Sequence, residues 1–354
     1  MASNTSHYAK PHDDYAKPHD NIFLLVDSDA DLAGATSLAH NLALPLQVSS
    51  PHQDQQTSTP KAPASTSDKD ALICAKKASH SKTSRSKKTV KDPRLHLHLT
   101  KEGLQLEQAD MTLICDFKAL VTRIKPGKLN SELLIKASKL KSKKGADHEG
   151  DLAPRPLAID ATAGLGSDSF LLAAAGFSVH MFEQDPLIAA LLQDGLKRAQ
   201  KDSKLFPIVS HMHLHKQDSI AALKQAGDRF AQTENSLKQK ASTAFAPDAT
   251  EPLDSRSSFA ESSTSLLPGK PDVIYLDPMF PARTKSAAVK KKFQLIHLLE
   301  HPCENEKELL EAAIALKPHK VVVKRMLKGP YLANKKPSYS LKGKSIRYDC
   351  YVFA

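Results

Sequence analysis

Asp277-Pro278-Met279-Phe280-Pro281 follows directly on the apolar run Val273-Ile274-Tyr275-Leu276. An acid, a proline and an aromatic at the tip of a buried strand suit the holding of a flat, amine-bearing base. Asp277 can accept a hydrogen bond from an exocyclic NH2, the Pro278 carbonyl offers a second acceptor, and Phe280 can stack on the ring. Asp-Pro also simply ends strands and starts turns, so the pentapeptide carries chemistry only in company. That company lies upstream. Leu157-Ala158-Ile159-Asp160 is an apolar run ending in an acid, and it turns through Gly164 and Gly166 into Ser167, Asp168 and the apolar stretch Ser169 to Ala175. A second run, Ser178 to Phe182, ends on Glu183 and Gln184; a third, Ile208 to Lys216, ends in Gln217-Asp218-Ser219.

Strand, glycine turn and helix is the layout that lets backbone approach a nucleotide-like ligand, and an acid tipping the next strand can accept from both ribose hydroxyls. Asp218 and Ser219 can meet an adenine amine and ring nitrogen, or cap a helix that begins at Ile220. A nicotinamide site would set a pyrophosphate on the helix N-terminus, where Asp160 and Asp168 bring negative charge. S-adenosyl-L-methionine (SAM) carries a sulfonium and an ammonium and no phosphate, so the acids favour it. The candidate cofactor contacts are Asp160, Gly164, Gly166, Ser167, Asp168, Glu183, Gln184, Asp218, Ser219 and Asp277; the candidate catalytic residues are Asp277, Pro278 and Phe280.

The elements that must position these groups follow from the pattern. From Leu157 onward about seven strands are expected, five alternating with helices and two, near Ser338 to Leu341 and Ser345 to Phe353, closing as a hairpin. That is an α/β, class I (Rossmann-like) methyltransferase architecture over residues 157–354, with Ser286 to Glu300 and Glu304 to Leu316 as helices, and Lys320 to Arg325 as a buried strand. Residues 229–269, rich in Ser, Thr, Ala, Pro and Gln, are expected as an inserted surface loop. Upstream, residues 21–120 read as a small α/β subdomain. It holds a strand at Ile22 to Val26, a helix at Leu32 to Leu42, and a meander over Arg94 to Leu99, Leu104 to Glu107 and Met111 to Asp116. Flexible segments are expected at 47–69 and 77–92, with a strand at Ala71 to Cys74 between them. A basic helix at 130–142 leads into a linker, the two filling 121–156, and a duplicated hexapeptide marks residues 1–20 as a disordered tail.

Lys plus Arg number 50 against 39 Asp plus Glu, a formal charge of +11, which suits a polyanionic partner. The basic residues gather at Lys76 to Lys91, Arg123 to Lys144, Lys285 with Lys290 to Lys292, and Lys317 to Arg347. Arg283, Lys285, Lys290, Lys291, Lys324 and Arg325 flank the Asp277 motif and are the candidate RNA phosphate contacts. Cys74, Cys115, Cys303 and Cys350 lie far apart with no Cys-x-x-Cys pair, which argues for a reducing compartment and against a disulfide framework or structural zinc. His211, His213 and His215 alternate along one strand as a polar sheet face or edge, and no metal site is expected. No apolar run approaches a membrane span, so a cytoplasmic protein is the plain reading.

Asp-Ala-Thr-Ala-Gly-Leu-Gly-x-Asp at 160–168 and Tyr-Leu-Asp-Pro-Met-Phe-Pro at 275–281 resemble the ribosomal small-subunit RNA guanine-N2 methyltransferase J family. Ala189 to Leu196, Lys285 to Lys291 and Val321 to Arg325 strengthen the resemblance, which covers roughly 157–354 with a fainter match up to Asp116-Phe117. It implies methyl transfer from SAM to the exocyclic amine of a guanosine near the 3′ end of 16S rRNA, with the rRNA or small subunit as partner. Ser167 and Gln184 stand where that family often has Arg, and the Arg123 to Asn130 segment keeps its charge but only one glycine. Rival readings are a methyltransferase of DNA adenine or protein glutamine, and a non-catalytic basic rRNA-binding assembly factor.

Overall fold

The computed structural model describes residues 21–49, 92–140, 154–243, 267–278, 295–296, 298–299 and 305–353. Two sheets organise them. The first takes β1 (Leu24–Val26), β2 (Leu46–Val48), β3 (His96–Thr100), β4 (Gly103–Gln108) and β5 (Met111–Ile114) in the order β2-β1-β3-β4-β5, with α1 (Leu32–Leu42) crossing between β1 and β2. Asp31 caps α1 by accepting from the Gly34 amide at 3.0 Å. The alternating apolar residues Leu97, Leu104, Leu106 and Leu113 turn one face of the sheet into core. Gln47 and Val48, expected to be flexible, are strand: β2 runs parallel to β1 with Leu46 opposite Leu24 and Val48 opposite Val26.

The second sheet carries the acids. Its strands are β6 (Leu157–Asp160), β7 (Ser178–Phe182), β8 (Met212–His215), β9 (Val273–Leu276), β10 (Lys320–Met326), β11 (Tyr339–Lys342) and β12 (Ile346–Val352). Their order is β11-β12-β10-β9-β6-β7-β8, with only the β12 pairings antiparallel. This is the Rossmann-like layout expected from the sequence. The central strands are apolar throughout because both faces are covered. Ala158, Val179, Val273, Tyr275 and Val322 face one core with α2 (Leu133–Ser138) and α3 (Ser167–Ala174). Ile159, Phe182, Ile274, Leu276, Val321 and Val323 face the other with α6 (Ser219–Thr243) and α7 (Glu306–Ala315).

Helix α4 (Pro186–Gln200) sits between the two sheets, so it needs apolar residues on two sides. Leu187, Ile188 and Leu191 enter the N-terminal core, while Leu192, Leu196 and Ala199 enter the core of the larger sheet. Gly195 permits the close approach: a Cβ there would lie 2.4 Å from Cys115 Sγ. Arg198 Nη2 then donates to the Cys115 carbonyl at 2.6 Å, and Asp194 accepts from the Leu104 amide at 3.1 Å.

Several expectations change. The stretch 229–269 does not begin as a loop, because α6 runs on to Thr243; after Gly227 no glycine or proline interrupts its Ala, Gln, Lys and Glu residues before Pro247. The basic helix at 130–142 shrinks to a 3-10 turn, Leu129–Ser131, and the short α2, whose buried anchors are Leu134, Ala137 and Ser138. Ile208 opens no strand; Pro207 starts the turn α5 (Phe206–Val209), and β8 begins at Met212. The tail at 1–20, the strand at Ala71 to Cys74, the 77–91 segment and most of the helix from Ser286 to Glu300 lie outside the described residues; 295, 296, 298 and 299 of that helix are helical.

Candidate active site

The parallel strands β6, β7, β9 and β10 all end on the same edge of the sheet, which gathers their C-terminal residues. Leu276 pairs with Val323, so the next residue on each strand, Asp277 and Lys324, are neighbours. Lys324 Nζ lies 2.7 Å from Asp277 Oδ2 and 2.9 Å from Asp168 Oδ2. Asp168 stands in the first turn of α3 and also accepts from the Tyr275 hydroxyl at 2.6 Å. The Asp277 amide donates to Thr162 Oγ1 at 2.7 Å, tying the Asp-Pro motif to the glycine turn.

That turn is shaped by Gly166, at φ +70°, which caps α3; a Cβ there would meet Leu192 Cδ1 at 2.8 Å. Glu183 reaches across from the tip of β7, accepting from the Gly164 amide at 2.9 Å and from the Asp185 amide at 2.8 Å. Asp185 in turn caps α4 through the Leu187 and Ile188 amides. At the tip of β8, Asp218 accepts from the Ile220 and Ala221 amides, the capping role, with its side chain exposed and Ser219 buried. Ser167 and Gln184 are exposed on the same rim.

Burial governs the charges. It pushes the Asp160 carboxyl up to about 7, against hydrogen bonds from Ser169 and Thr162 and helped by Asp168 and Asp277. It pushes Glu183 up to about 7 as well, against the two amides that hold it. For Asp277 burial again raises the value, with Lys324 offsetting part. At Asp168 burial is outweighed: Lys324 and the Tyr275 hydroxyl hold the carboxyl below its ordinary range. Burial opposes the Lys324 ammonium, but Asp168 and Asp277 prevail and keep it charged.

Three expected roles are corrected. Arg325 is 2% exposed, its guanidinium 3.0 Å from Glu306 Oε1 and donating to the Pro330 carbonyl, so it faces the core instead of a phosphate. Lys324, 25% exposed, points its ammonium at the carboxylates instead of outward to RNA. Asp160, 1% exposed, spends its oxygens on Ser169 and Thr162 and so shapes the turn. Phe280, Arg283, Lys285, Lys290 and Lys291 lie outside the described residues; Pro278 is buried at the end of β9. Sequence reasoning passed over Thr162, Tyr275 and Tyr348, which stands opposite Lys324 on β12. It named Arg123 only within a basic segment, whereas its charge is felt by Asp168 while it pairs with Glu132 at 2.8 Å. The usable signal was the parallel alternation itself, since adjacent strands that end together bring their next residues together.

Residues 82–233 and 241–353 match the family described as "Putative SAM-dependent methyltransferase". The chain belongs to that family. Its cofactor is SAM, and the site agrees: Asp160, Asp168, Glu183 and Asp277 cluster around the glycine turn with Lys324 between two of them, a field suited to a cation and not to a pyrophosphate. Over 197 residues the chain is 42% identical to "Ribosomal RNA small subunit methyltransferase J" of Pseudomonas fluorescens, covering 56% of this chain and 60% of that protein. The protein of the same name from Thioalkalivibrio sulfidiphilus is 37% identical over 201 residues, covering 56% of this chain and 62% of its own length. The chain thus spans about three fifths of the length of the curated relatives it matches. A solved SAM-dependent methyltransferase from Neisseria gonorrhoeae shares the fold, with TM-score 0.52 and 24% identity, over 93% of this chain and 95% of that one. Among the described residues no helix is long and apolar enough to cross a membrane.

Proposed function

We propose that this chain methylates the exocyclic N2 amine of a guanosine near the 3′ end of 16S rRNA, acting on the rRNA or small subunit in the cytoplasm. One observation carries the reading. Asp277, at the tip of β9, stands beside a charged Lys324 and is tied by its amide to Thr162, so a carboxyl acceptor is fixed on the acid-rimmed edge. The similarity to proteins named for small-subunit rRNA methylation supports the choice of substrate.

SAM supplies an electrophilic methyl group and a sulfur leaving group. Glu183 and the Gly164 to Gly166 turn would hold its ribose and backbone side, with Ser167, Asp168, Gln184, Asp218 and Ser219 around the rim. The guanine N2 lone pair is delocalised into the ring, so the protein needs alignment more than a strong base. Asp277 accepts one N2 hydrogen and the Pro278 carbonyl the other, turning the lone pair toward the donor. The Lys324 ammonium offsets part of the burial that raises the Asp277 carboxyl, which favours its acceptor form. Phe280 stacks on the splayed base, a contact worth about 1–3 kcal/mol. The N2 proton leaves after transfer, to Asp277 or water. Arg283, Lys285, Lys290 and Lys291 would meet the phosphates.

The test is incubation of the protein with labelled SAM and 30S subunits or naked 16S rRNA from a strain lacking the gene, followed by nucleoside analysis. N2-methylguanosine is expected, and Asp277→Ala is expected to abolish it while SAM binding weakens only modestly. Label in another base, in no substrate, or near-normal turnover of Asp277→Ala overturns the reading.

A further inference from the structure

We propose that the N-terminal sheet holds a divalent transition-metal site, zinc being the best match, formed by His96, His98 and Glu107. His96 and His98 lie two apart on β3, so both rings leave one face of the sheet. Glu107 is the cross-strand partner of His96 on β4, which sets its carboxylate beside both rings. Glu107 Oε2 is 3.3 Å from His98 Nδ1 and 3.7 Å from His96 Nε2, and the three ligand atoms lie within 4.8 Å of one another. On a tetrahedral ion with bonds of about 2.0–2.1 Å, neighbouring ligand atoms sit about 3.3–3.4 Å apart, so small side-chain rotations close the set.

The far nitrogens strengthen the case. His96 Nδ1 lies 2.9 Å from the Arg94 carbonyl, which can only accept, so that nitrogen carries the proton and Nε2 presents its lone pair to the cluster. His98 Nε2 lies 2.9 Å from Asp27 Oδ1, which holds a proton on that nitrogen, so a metal would displace only the proton that Nδ1 shares with Glu107. A backbone carbonyl and a carboxylate behind two histidines are the outer partners that orient metal-binding imidazoles. The His96 ring is further fixed by stacking on Phe23, with centroids 4.9 Å apart and planes 6° from parallel. Two imidazoles and a carboxylate suit zinc, with a fourth position for water. Asp27 follows β1, so an ion there would bind β1, β3 and β4 into one unit. That unit packs on α4, remote in role from the methyl-transfer edge.

The full chain, freed of metal with a chelator, is titrated with Zn2+ against a chromogenic competitor, and separately with Co2+ to read tetrahedral visible bands. One ion per chain is expected, with at least a hundredfold weaker binding in Glu107→Gln and in the His96→Gln/His98→Gln pair. Asp27→Asn should weaken it by about 10–100-fold, as loss of an outer partner does. His213→Gln, on β8, should leave it unchanged. Absence of tetrahedral cobalt bands in the parent protein overturns the proposal whatever the variants do. So does Zn2+ binding of equal strength in parent and double variant, which would mark the other histidines as its source. In that case the cluster is a protonated His98 bridging Asp27 and Glu107.

Discussion

Replacing Lys324 by Met keeps the stem and removes the charge, which isolates what the ammonium does for Asp168 and Asp277. The two contacts, at 2.9 and 2.7 Å, are each worth about 6 kcal/mol gross at an effective dielectric near 20. Desolvation of three charges cancels most of that, so the net loss must be taken from cases where one partner of a buried pair is removed, about 3–5 kcal/mol. Here the three side chains keep 25%, 18% and 28% exposure, and water relieves part of the repulsion left behind. The expected loss is about 2–3 kcal/mol at pH 7.5. Its pH dependence has a definite sign. In the parent, Asp168 is held low and so stabilises the fold above the ordinary carboxylate range, a contribution lost as pH falls through its folded value. In the variant both carboxyls rise, which costs stability above their unfolded values and nothing below them. The gap between parent and variant is therefore widest at pH 7.5 and narrows by pH 4.5. Urea unfolding at the two pH values, with Asp168→Asn alone and combined, reads both the gap and the coupling. A loss below about 0.5 kcal/mol at pH 7.5, or an equal loss at both pH values, refutes the reasoning.

Glu183 titrates near 7, so SAM affinity should rise up to about tenfold between pH 6 and 8, and Glu183→Gln should flatten that rise to the part left by Asp160; calorimetry showing the same slope in both proteins would count against it. Because both acids are raised by burial, their ionisation also lowers fold stability as pH climbs from about 4 through 7, which a melting series would show. Arg325→Ala should lower unfolding free energy by about 3 kcal/mol with no change in the salt dependence of RNA binding; weaker RNA binding at unchanged stability would restore it as a phosphate contact. Gly166→Ala combines a left-handed backbone with a 2.8 Å approach to Leu192, and should cost about 2–3 kcal/mol, partly recovered by Leu192→Ala; a loss under about 0.5 kcal/mol rejects the strained-turn account.

Much of this protein is written locally. Asp160, Glu183 and Asp277 could be placed at strand tips because each closes a short apolar run, and both faces of those strands are buried, so their hydrophobicity is continuous along the chain. The glycine turn was equally legible, since Gly164 and Gly166 take up positive φ with no Cβ to oppose it. Helix α1 matched the periodicity from Leu32 to Leu42 for the same reason. What the chain order could not show is which side chains meet. Lys324 reaches Asp277 across 47 residues and Asp168 across 156, contacts that exist only because β10 pairs with β9 in one register and β9 with β6 in another. The neighbouring Arg325 alternates to the opposite face, so one of two adjacent basic residues entered the site and the other the core. His96, His98 and Glu107 likewise became a cluster through antiparallel pairing, a grouping that sequence reasoning did not single out. Strand ends and turns are decided by nearest neighbours along the chain; charge partners are decided by sheet order and register, which only the folded protein sets.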